Sequence, residues 1–197
     1  DVPNRRAKVR LVLGNATSAK VEATVKLDAR PVVPAGRAAP GQPGPRARRN
    51  TEPVSARCVA GPGETSLELM LPMGSGAALW DEFHPNLHRL VASVEAELAS
   101  EVLQDEKAVT FGMRDFRAEG NQFFMNGRPT YLRGTLECCI FPLTGYQSMD
   151  VASWMRVFRV LKSYGLNHMR FHSWCPPEAA FVAADRSGVM LHVETPM

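Results

Sequence analysis

From residue 131 onward the sequence alternates short apolar runs with amphipathic segments, an order that few folds accommodate. The predicted elements are a strand at 131–135, a helix after Ser148 or Asp150, a strand at 167–171, a helix from Pro176 to Gly188 and a strand at 189–193. Such a run indicates consecutive βα units whose strands lie parallel in one sheet. Since a closed barrel of eight such units needs ~250 residues, only its first three strands fit before Met197. If the fold is a (β/α)8 TIM barrel, it is truncated after about three of its eight strands, and we expect the chain to be a fragment of a longer protein.

Apolar and polar residues alternate with a period of two in the first part of the chain. Two such runs, 9–13 and 21–27, flank a turn at 14–18 and predict a β-hairpin with one buried face. The same alternation predicts further strands at 66–71, 90–98 and 109–113. Several short strands separated by turns indicate an antiparallel β-sandwich, and one of about 100 residues is usually immunoglobulin-like.

The two patterns divide the chain into two predicted domains. Residues 1–116 are assigned to an immunoglobulin-like β-sandwich, and residues 117–197 to the N-terminal portion of an incomplete TIM barrel. A hairpin is expected at 123–132, because its Asn-Gly pair is preferred in type I′ turns. The segment 31–49 is rich in Pro, Gly, Ala and Arg and is expected to be a long surface loop or partly disordered.

Charge and hydropathy exclude two kinds of partner. The formal net charge is +3, and basic residues are concentrated in the first fifty positions. These arginines lie among Pro and Gly without aromatic residues for base stacking, so we expect no nucleic-acid partner. No apolar run approaches the ~20 residues that cross a bilayer, so we expect no membrane partner. The sequence leaves oligomeric state and compartment open, and a periplasmic or extracellular location is favoured if the parent protein carries a signal peptide.

Four collinear blocks in the second half form a recognisable series. They read FGMR at 111–114, FFMNGRPTYLRG at 123–134, GLNHMR at 165–170 and DRSGVMLHVE at 185–194. These blocks resemble the F-G-x-R, F-x-x-N-G-x-P-x-x-x-R-G, G-x-N-x-x-R and D-x-x-G-x-x-x-x-x-E motifs of glycoside hydrolase family 2, the group of β-galactosidases, β-glucuronidases and β-mannosidases. Upstream, LWDEFHPNL at 79–87 resembles the L-W-x-P-x-x-P-x-L stretch of the family's sandwich domain.

The resemblance implies a jelly-roll domain, an immunoglobulin-like domain and a catalytic (β/α)8 barrel, of which this chain holds the second and the start of the third. It implies a glycosidase that hydrolyses O-glycosidic bonds of β-linked sugars with retention, using two glutamates and no cofactor. The Asn-Glu pair that marks the family's acid/base residue is absent from the sequence. Both catalytic glutamates are therefore expected beyond Met197, and the fragment alone is expected to be inactive. Where β-galactosidases continue R-G-x-N-x-H-E, this chain has Cys138 and Cys139, so its sugar specificity is not defined.

Ligands meet a barrel at the carboxyl ends of its strands, and polar or aromatic side chains follow each predicted strand. The candidate substrate-binding residues, called the rim residues below, are Glu137, Arg170, His172, Trp174 and Glu194. Arg170 is expected to orient a catalytic carboxylate, Glu194 and His172 to bond sugar hydroxyls, and Trp174 to stack on a sugar ring. The alternative is structural: Arg170 and Glu194 form an ion pair inside the barrel, while His172 and Trp174 pack.

Other interpretations stay open at this point. Cys138, Cys139, Cys175 and His172 together offer a tetrahedral zinc set, but adjacent cysteines project in different directions, so we expect no metal site. A cysteine nucleophile beside His172 is a further possibility. The alternative function is a non-catalytic carbohydrate-binding or scaffold protein on the same fold.

Three more side chains carry definite expectations. Trp154 lies at helical spacing with apolar neighbours and is expected to pack against the sheet. His84 and His88 are expected at the surface, whereas the alternation around His192 does not define the face on which it lies.

Overall fold

The computed structural model describes residues 1–32, 51–98 and 101–195, so the predicted loop at 31–49 falls almost wholly outside the described residues, as do the last two positions. The chain divides into two compact units: residues 1–78 with 88–111, and residues 79–87 with 112–197. The predicted domain boundary after residue 116 stays a prediction. None of the helices within the described ranges is long and apolar enough to span a membrane.

The first unit holds two antiparallel sheets. Its strands are β1 (Arg6–Asn15), β2 (Val21–Pro31), β3 (Val54–Ala60), β4 (Gly63–Pro72), β5 (His88–Leu98) and β6 (Glu101–Phe111). β1 and β4 form one sheet, and the other has the order β3-β2-β5-β6. The alternation in the sequence predicted β1, β2, β4 and β5. It missed β3, and the strand predicted at 109–113 overlaps β6 only at residues 109–111.

The predicted hairpin between the first two strands is wrong. β1 pairs antiparallel with β4, placing Val9 opposite Leu69, whereas β2 lies between β3 and β5. The connection is held by Asn15, whose side-chain Nδ2 donates to the carbonyl oxygen of Ala60 at 3.0 Å. The alternation itself is confirmed, since every second residue of β2 from 21 to 29 is buried. A period of two fixes the face that a strand buries, but it does not identify the neighbouring strand.

His88 is a second correction. Its side chain is buried rather than exposed, with its Nε2 3.0 Å from the carbonyl oxygen of Ala78 and its ring 5.6 Å from that of Phe111. His84 lies at the surface as predicted. A backbone carbonyl that supplies a hydrogen-bond partner lets a histidine lie in the core, and the local sequence does not reveal that partner.

The second unit begins with a small antiparallel sheet and continues with the βα units. Its elements are β7 (Phe116–Glu119), β8 (Gln122–Met125), β9 (Arg128–Thr130), β10 (Gly134–Glu137), α1 (Val151–Ser163), β11 (His168–Phe171), α2 (Glu178–Ser187) and β12 (Met190–Val193). The turn between β8 and β9 has positive φ at Asn126 (53°) and Gly127 (78°), as a type I′ turn requires. The predicted hairpin is therefore confirmed, while β7 was not foreseen.

β10, β11 and β12 form a parallel three-stranded sheet in chain order, as predicted. The Asp150 carboxylate caps α1 by accepting from the backbone N–H of Ser153 at 2.8 Å, and Gly188 ends α2 in the left-handed conformation. Both helices pack on one face of the sheet. The shared core contains Trp154, Phe158, Leu161, Met169, Phe171, Ala179, Ala180, Ala183, Ala184 and Val189. The expectation that Trp154 packs is confirmed.

Residues 79–87, termed the strap, belong to the second unit. Glu82 of the strap lies beside Arg133 and Gly188, which precede β10 and β12. Trp80 and Leu87 form a small core with Met125 and Met190, and the Trp80 indole N–H donates to the carbonyl oxygen of Asp185 at 2.8 Å. Glu82 of the strap makes two hydrogen bonds close to this core. Its side-chain carboxylate accepts from Arg133 Nη2 at 2.7 Å, and the backbone carbonyl oxygen of the same residue accepts from Lys162 Nζ at 2.5 Å.

Candidate functional site

The carboxyl ends of the three parallel strands lie level with one another. In register, Glu137 at the end of β10 is opposite Phe171 of β11, which is opposite Val193 of β12. Side chains that follow these positions therefore emerge along one edge of the sheet. This is the edge at which α/β barrels bind their ligands, and the rim residues lie along it.

Arg170 and Glu194 meet across β11 and β12. Arg170 Nε donates to Glu194 Oε1 at 2.5 Å, and its Nη2 contacts the same oxygen. The other carboxylate oxygen accepts from the backbone N–H of Ser173 at 2.9 Å. The Ser173 amide and the Arg170 guanidinium lower the pKa of Glu194 below its usual range, which keeps it ionised.

Glu137 is held by the loop that follows it. Its carboxylate accepts from the backbone N–H groups of Cys139 at 2.9 Å and Ile140 at 3.4 Å. Its carbonyl oxygen accepts from the backbone N–H of His172 at 2.9 Å, which joins the ends of β10 and β11. The structure therefore shows Glu137 organising the edge through its own backbone and loop.

Two non-glycine residues at this edge have left-handed backbones. Cys139 has φ of 58° and Ser173 has φ of 61°, and each lies two residues beyond the last residue of its strand. This conformation costs roughly 1–2 kcal/mol for a residue with a side chain. At both corners a glutamate carboxylate accepts from the amide of the left-handed residue, Glu137 from Cys139 and Glu194 from Ser173. Since no local sequence pattern signals this conformation, the role of Ser173 was missed.

Trp174 and His172 differ in their surroundings. The half-buried Trp174 packs edge-to-face on Phe171 and Phe141, with ring centroids 5.2 and 6.0 Å apart. Its indole N–H is buried and has no hydrogen-bond partner among the described residues. His172 is exposed, and its charge, when present, stabilises ionised Glu194. The ring contacts of Trp174 match the packing alternative, whereas His172 remains open to solvent.

Basic side chains line the sheet face opposite the helices. Arg170 is in register with His192, and the rings of His168 and His192 lie 6.1 Å apart on that same face. Burial, together with the nearby His192, lowers the pKa of His168, which favours its neutral form. The structure thus resolves the position of His192, which the sequence left undefined.

A buried asparagine fixes the start of the same sheet. Asn167 Oδ1 accepts from the backbone N–H of Arg133 at 2.8 Å, and its Nδ2 donates to the carbonyl oxygen of Tyr131 at 3.0 Å. Asn167 and Arg133 both belong to sequence blocks noted above. The sequence blocks therefore point to Asn167 and Arg133, but they do not identify the hydrogen-bond partners of these residues.

The zinc alternative finds no support in the geometry. Among the described residues, which include Cys138, Cys139, Cys175 and His172, no three His, Cys, Asp or Glu side chains are placed to hold one ion. All four cysteines are free thiols.

Comparison with known proteins finds several solved structures whose fold is similar to that of this chain. No protein-family model matches the chain. A glycosyl hydrolase family 2 member from Bacteroides cellulosilyticus is 20% identical over 94% of this chain and 23% of its own, with a TM-score of 0.74. A β-glucuronidase from Bacteroides uniformis is 19% identical over 98% of this chain and 21% of its own (TM-score 0.69). A family 2 β-galacturonidase from Eisenbergiella tayi, bound to galacturonate, is 17% identical over 93% of this chain and 28% of its own (TM-score 0.67).

These likenesses show that the chain has the fold of one part of such proteins. It spans about a quarter of the length of the solved structures it matches. The resemblance seen in the sequence blocks is confirmed to that extent.

Proposed function

We propose that this chain is part of a family 2 glycosidase whose whole protein hydrolyses O-glycosidic bonds of β-linked sugars with retention. In this proposal residues 1–116 form the immunoglobulin-like sandwich and residues 117–197 begin the catalytic TIM barrel. The observation that carries it is the Arg170–Glu194 pair at the carboxyl edge of a parallel sheet whose solved neighbours are glycosidases.

The exposure of this pair supports a role in binding. Arg170 retains 48% and Glu194 22% of their side-chain accessibility. An ion pair this open to solvent contributes little to stability. A purely structural role therefore does not explain why the Arg170–Glu194 pair lies at the sheet edge, whereas a polar ligand bound there would contact both charged groups.

The arrangement of the sheet also supports a barrel interior. The helices cover only the face that carries Phe171 and Met169. The opposite face carries Arg170, which is exposed, and two histidines. At the amino end of this face Met190 packs against the strap, whereas Arg170 and His192 near the carboxyl end are exposed. Polar side chains at the carboxyl ends of the strands lie where a barrel binds its ligands.

Each rim residue has a role in the proposal. Ionised Glu194 accepts hydrogen bonds from sugar hydroxyls, and Arg170 fixes its position while offering its remaining N–H groups to a carboxylate or an oxygen. His172 bonds a hydroxyl, Glu137 holds the loop at the mouth, and the exposed part of Trp174 stacks on a sugar ring.

Hydrolysis itself is assigned to two glutamates outside this chain. One protonates the leaving oxygen and the other attacks the anomeric carbon, with the two carboxyl groups ~5–5.5 Å apart in a retaining enzyme. The part played by this chain is to bind and orient the sugar between them.

The test uses the whole parent protein on a panel of aryl β-glycosides that includes β-glucuronide, β-galacturonide, β-galactoside and β-mannoside. At least one should be hydrolysed with retained configuration, as read by NMR of the first-formed sugar. Arg170→Gln should lower kcat/KM about 10- to 100-fold, the usual effect of losing a hydrogen bond to a charged group.

Arg159→Gln is the matched control, because Arg159 is an exposed arginine on α1, and it should leave kcat/KM within about twofold. Absence of turnover on every glycoside would refute the catalytic assignment. Sugar binding without turnover would identify the non-catalytic alternative instead. Equal effects of the two arginine substitutions would refute the role of Arg170.

A further inference from the structure

Two adjacent thiols lie at the carboxyl end of β10, directly after Glu137. Cys138 and Cys139 are both exposed and both free. The rim hydrogen bonds described above do not involve either thiol. Cys139 contributes its backbone amide, which donates to the Glu137 carboxylate. The pair is therefore an accessible feature that the proposed sugar site leaves unused.

The backbone at this pair departs from that of a strand. In a strand, successive side chains point to opposite faces, which separates neighbouring thiols. Here Cys139 has φ of 58°, so the alternation ends at this residue. The amides of residues 139 and 140 donate to the Glu137 carboxylate at this corner.

Covalent geometry fixes the spacing of the two backbones, and the side-chain torsions set the distance between the two sulfurs. Consecutive Cα atoms are ~3.80 Å apart across a trans peptide, so a mixed disulfide on one cysteine has the other thiol on the neighbouring residue. The same distance lies below the ~4.4–6.8 Å usual for a disulfide, which makes a bond between them strained and easily reduced.

We propose that Cys138 and Cys139 form a reversible vicinal disulfide by exchange with a small-molecule disulfide. This site does not depend on the glycosidase assignment. The thiolate of one cysteine attacks a sulfur of the external disulfide, forming a mixed disulfide and releasing one thiol. The thiolate of the second cysteine then attacks the first cysteine's sulfur, forming the Cys138–Cys139 bond and releasing the second thiol. The protein dithiol is oxidised, the external disulfide is reduced, and the two cysteine protons end on the released thiols.

The tryptic map of the chain isolates this reaction. Cleavage after Arg133 and Arg156 gives a peptide, residues 134–156, that contains Cys138 and Cys139 and no other cysteine, while Cys175 lies on the separate peptide 171–186. The protein is equilibrated with excess oxidised glutathione, remaining thiols are alkylated, and the peptides are weighed. The expected 134–156 peptide is two hydrogens lighter than its reduced form and carries neither glutathione nor an alkyl group. Brief treatment with excess reduced glutathione before alkylation should restore two alkylation sites.

Variants separate this reaction from its rivals. Cys175→Ser should give the same yield of the light peptide within about twofold, because the ring does not involve Cys175. Cys138→Ser should abolish the ring and leave one glutathione on Cys139. A cross-link between the 134–156 and 171–186 peptides, two glutathiones on one peptide, or complete alkylation in the wild type would each overturn the proposal.

Discussion

Replacing Gly188 by Ala tests whether the strap is packed against the end of α2. Gly188 has φ of 70°, and a Cβ added there would lie 2.5 Å from the carbonyl oxygen of Glu82. A side chain in the left-handed region costs about 1–2 kcal/mol. Forcing atoms into a filled space adds about 1–3 kcal/mol. The expected loss in the free energy of opening the second unit is therefore about 2–5 kcal/mol.

Gly165 provides a matched control. It follows α1 with φ of 73°, and no atom lies within 4 Å of the position of an added Cβ. Gly165→Ala should thus cost only the backbone part, about 1–2 kcal/mol. The difference between the two variants isolates the contact with the strap.

Native-state hydrogen exchange is the suitable assay, because it reports opening of β11 and β12 separately from that of the first unit. We expect a larger fall in protection for Gly188→Ala than for Gly165→Ala at the same amides. Equal losses in the two variants would show that the strap does not occupy the space next to residue 188.

Two further predictions concern the strap and the rim. Trp80→Ala empties a buried site and should destabilise the second unit by about 3–5 kcal/mol. Phe83→Ala, at a residue 73% exposed in the same strap, should cost less than about 1 kcal/mol. Comparable losses of unfolding free energy for the two variants in urea would contradict the packing of Trp80. The Glu194 carboxyl should titrate below its usual range because the Ser173 amide and Arg170 stabilise the ionised form. Its contribution to stability is then present above the ordinary glutamate pKa and lost as the pH falls through the lowered pKa. Arg170→Gln should raise that pKa in an NMR titration, and an unchanged titration would show that Arg170 does not act on Glu194.

The elements of the second unit could be predicted because local chemistry specifies them. The Asn126-Gly127 pair specifies a tight turn, Asp150 caps a helix, and Gly188 ends one. Strands that alternate with helices along the chain then pair in parallel within one sheet. The meeting of Arg170 with Glu194 follows from that arrangement, since both come at the ends of neighbouring strands.

Features that depend on distant partners could not be predicted. The pairing of β1 with β4 joins segments that are far apart in the sequence and leaves no trace in the alternation of either strand. The burial of His88 depends on the carbonyl of Ala78, and the docking of Glu82 depends on Arg133 and Lys162. The blocks at 79–87 and 123–134 were visible, but their side-chain partners became evident only in three dimensions.

The most direct test of the account is a crystal structure of the whole parent protein with a bound sugar or sugar-like inhibitor. The account predicts that the ligand lies at the carboxyl ends of β10, β11 and β12, with at least one hydroxyl within hydrogen-bonding distance of Glu194 or Arg170. A ligand at the amino ends of these strands, beside the strap, or one bound in the first unit alone would contradict it.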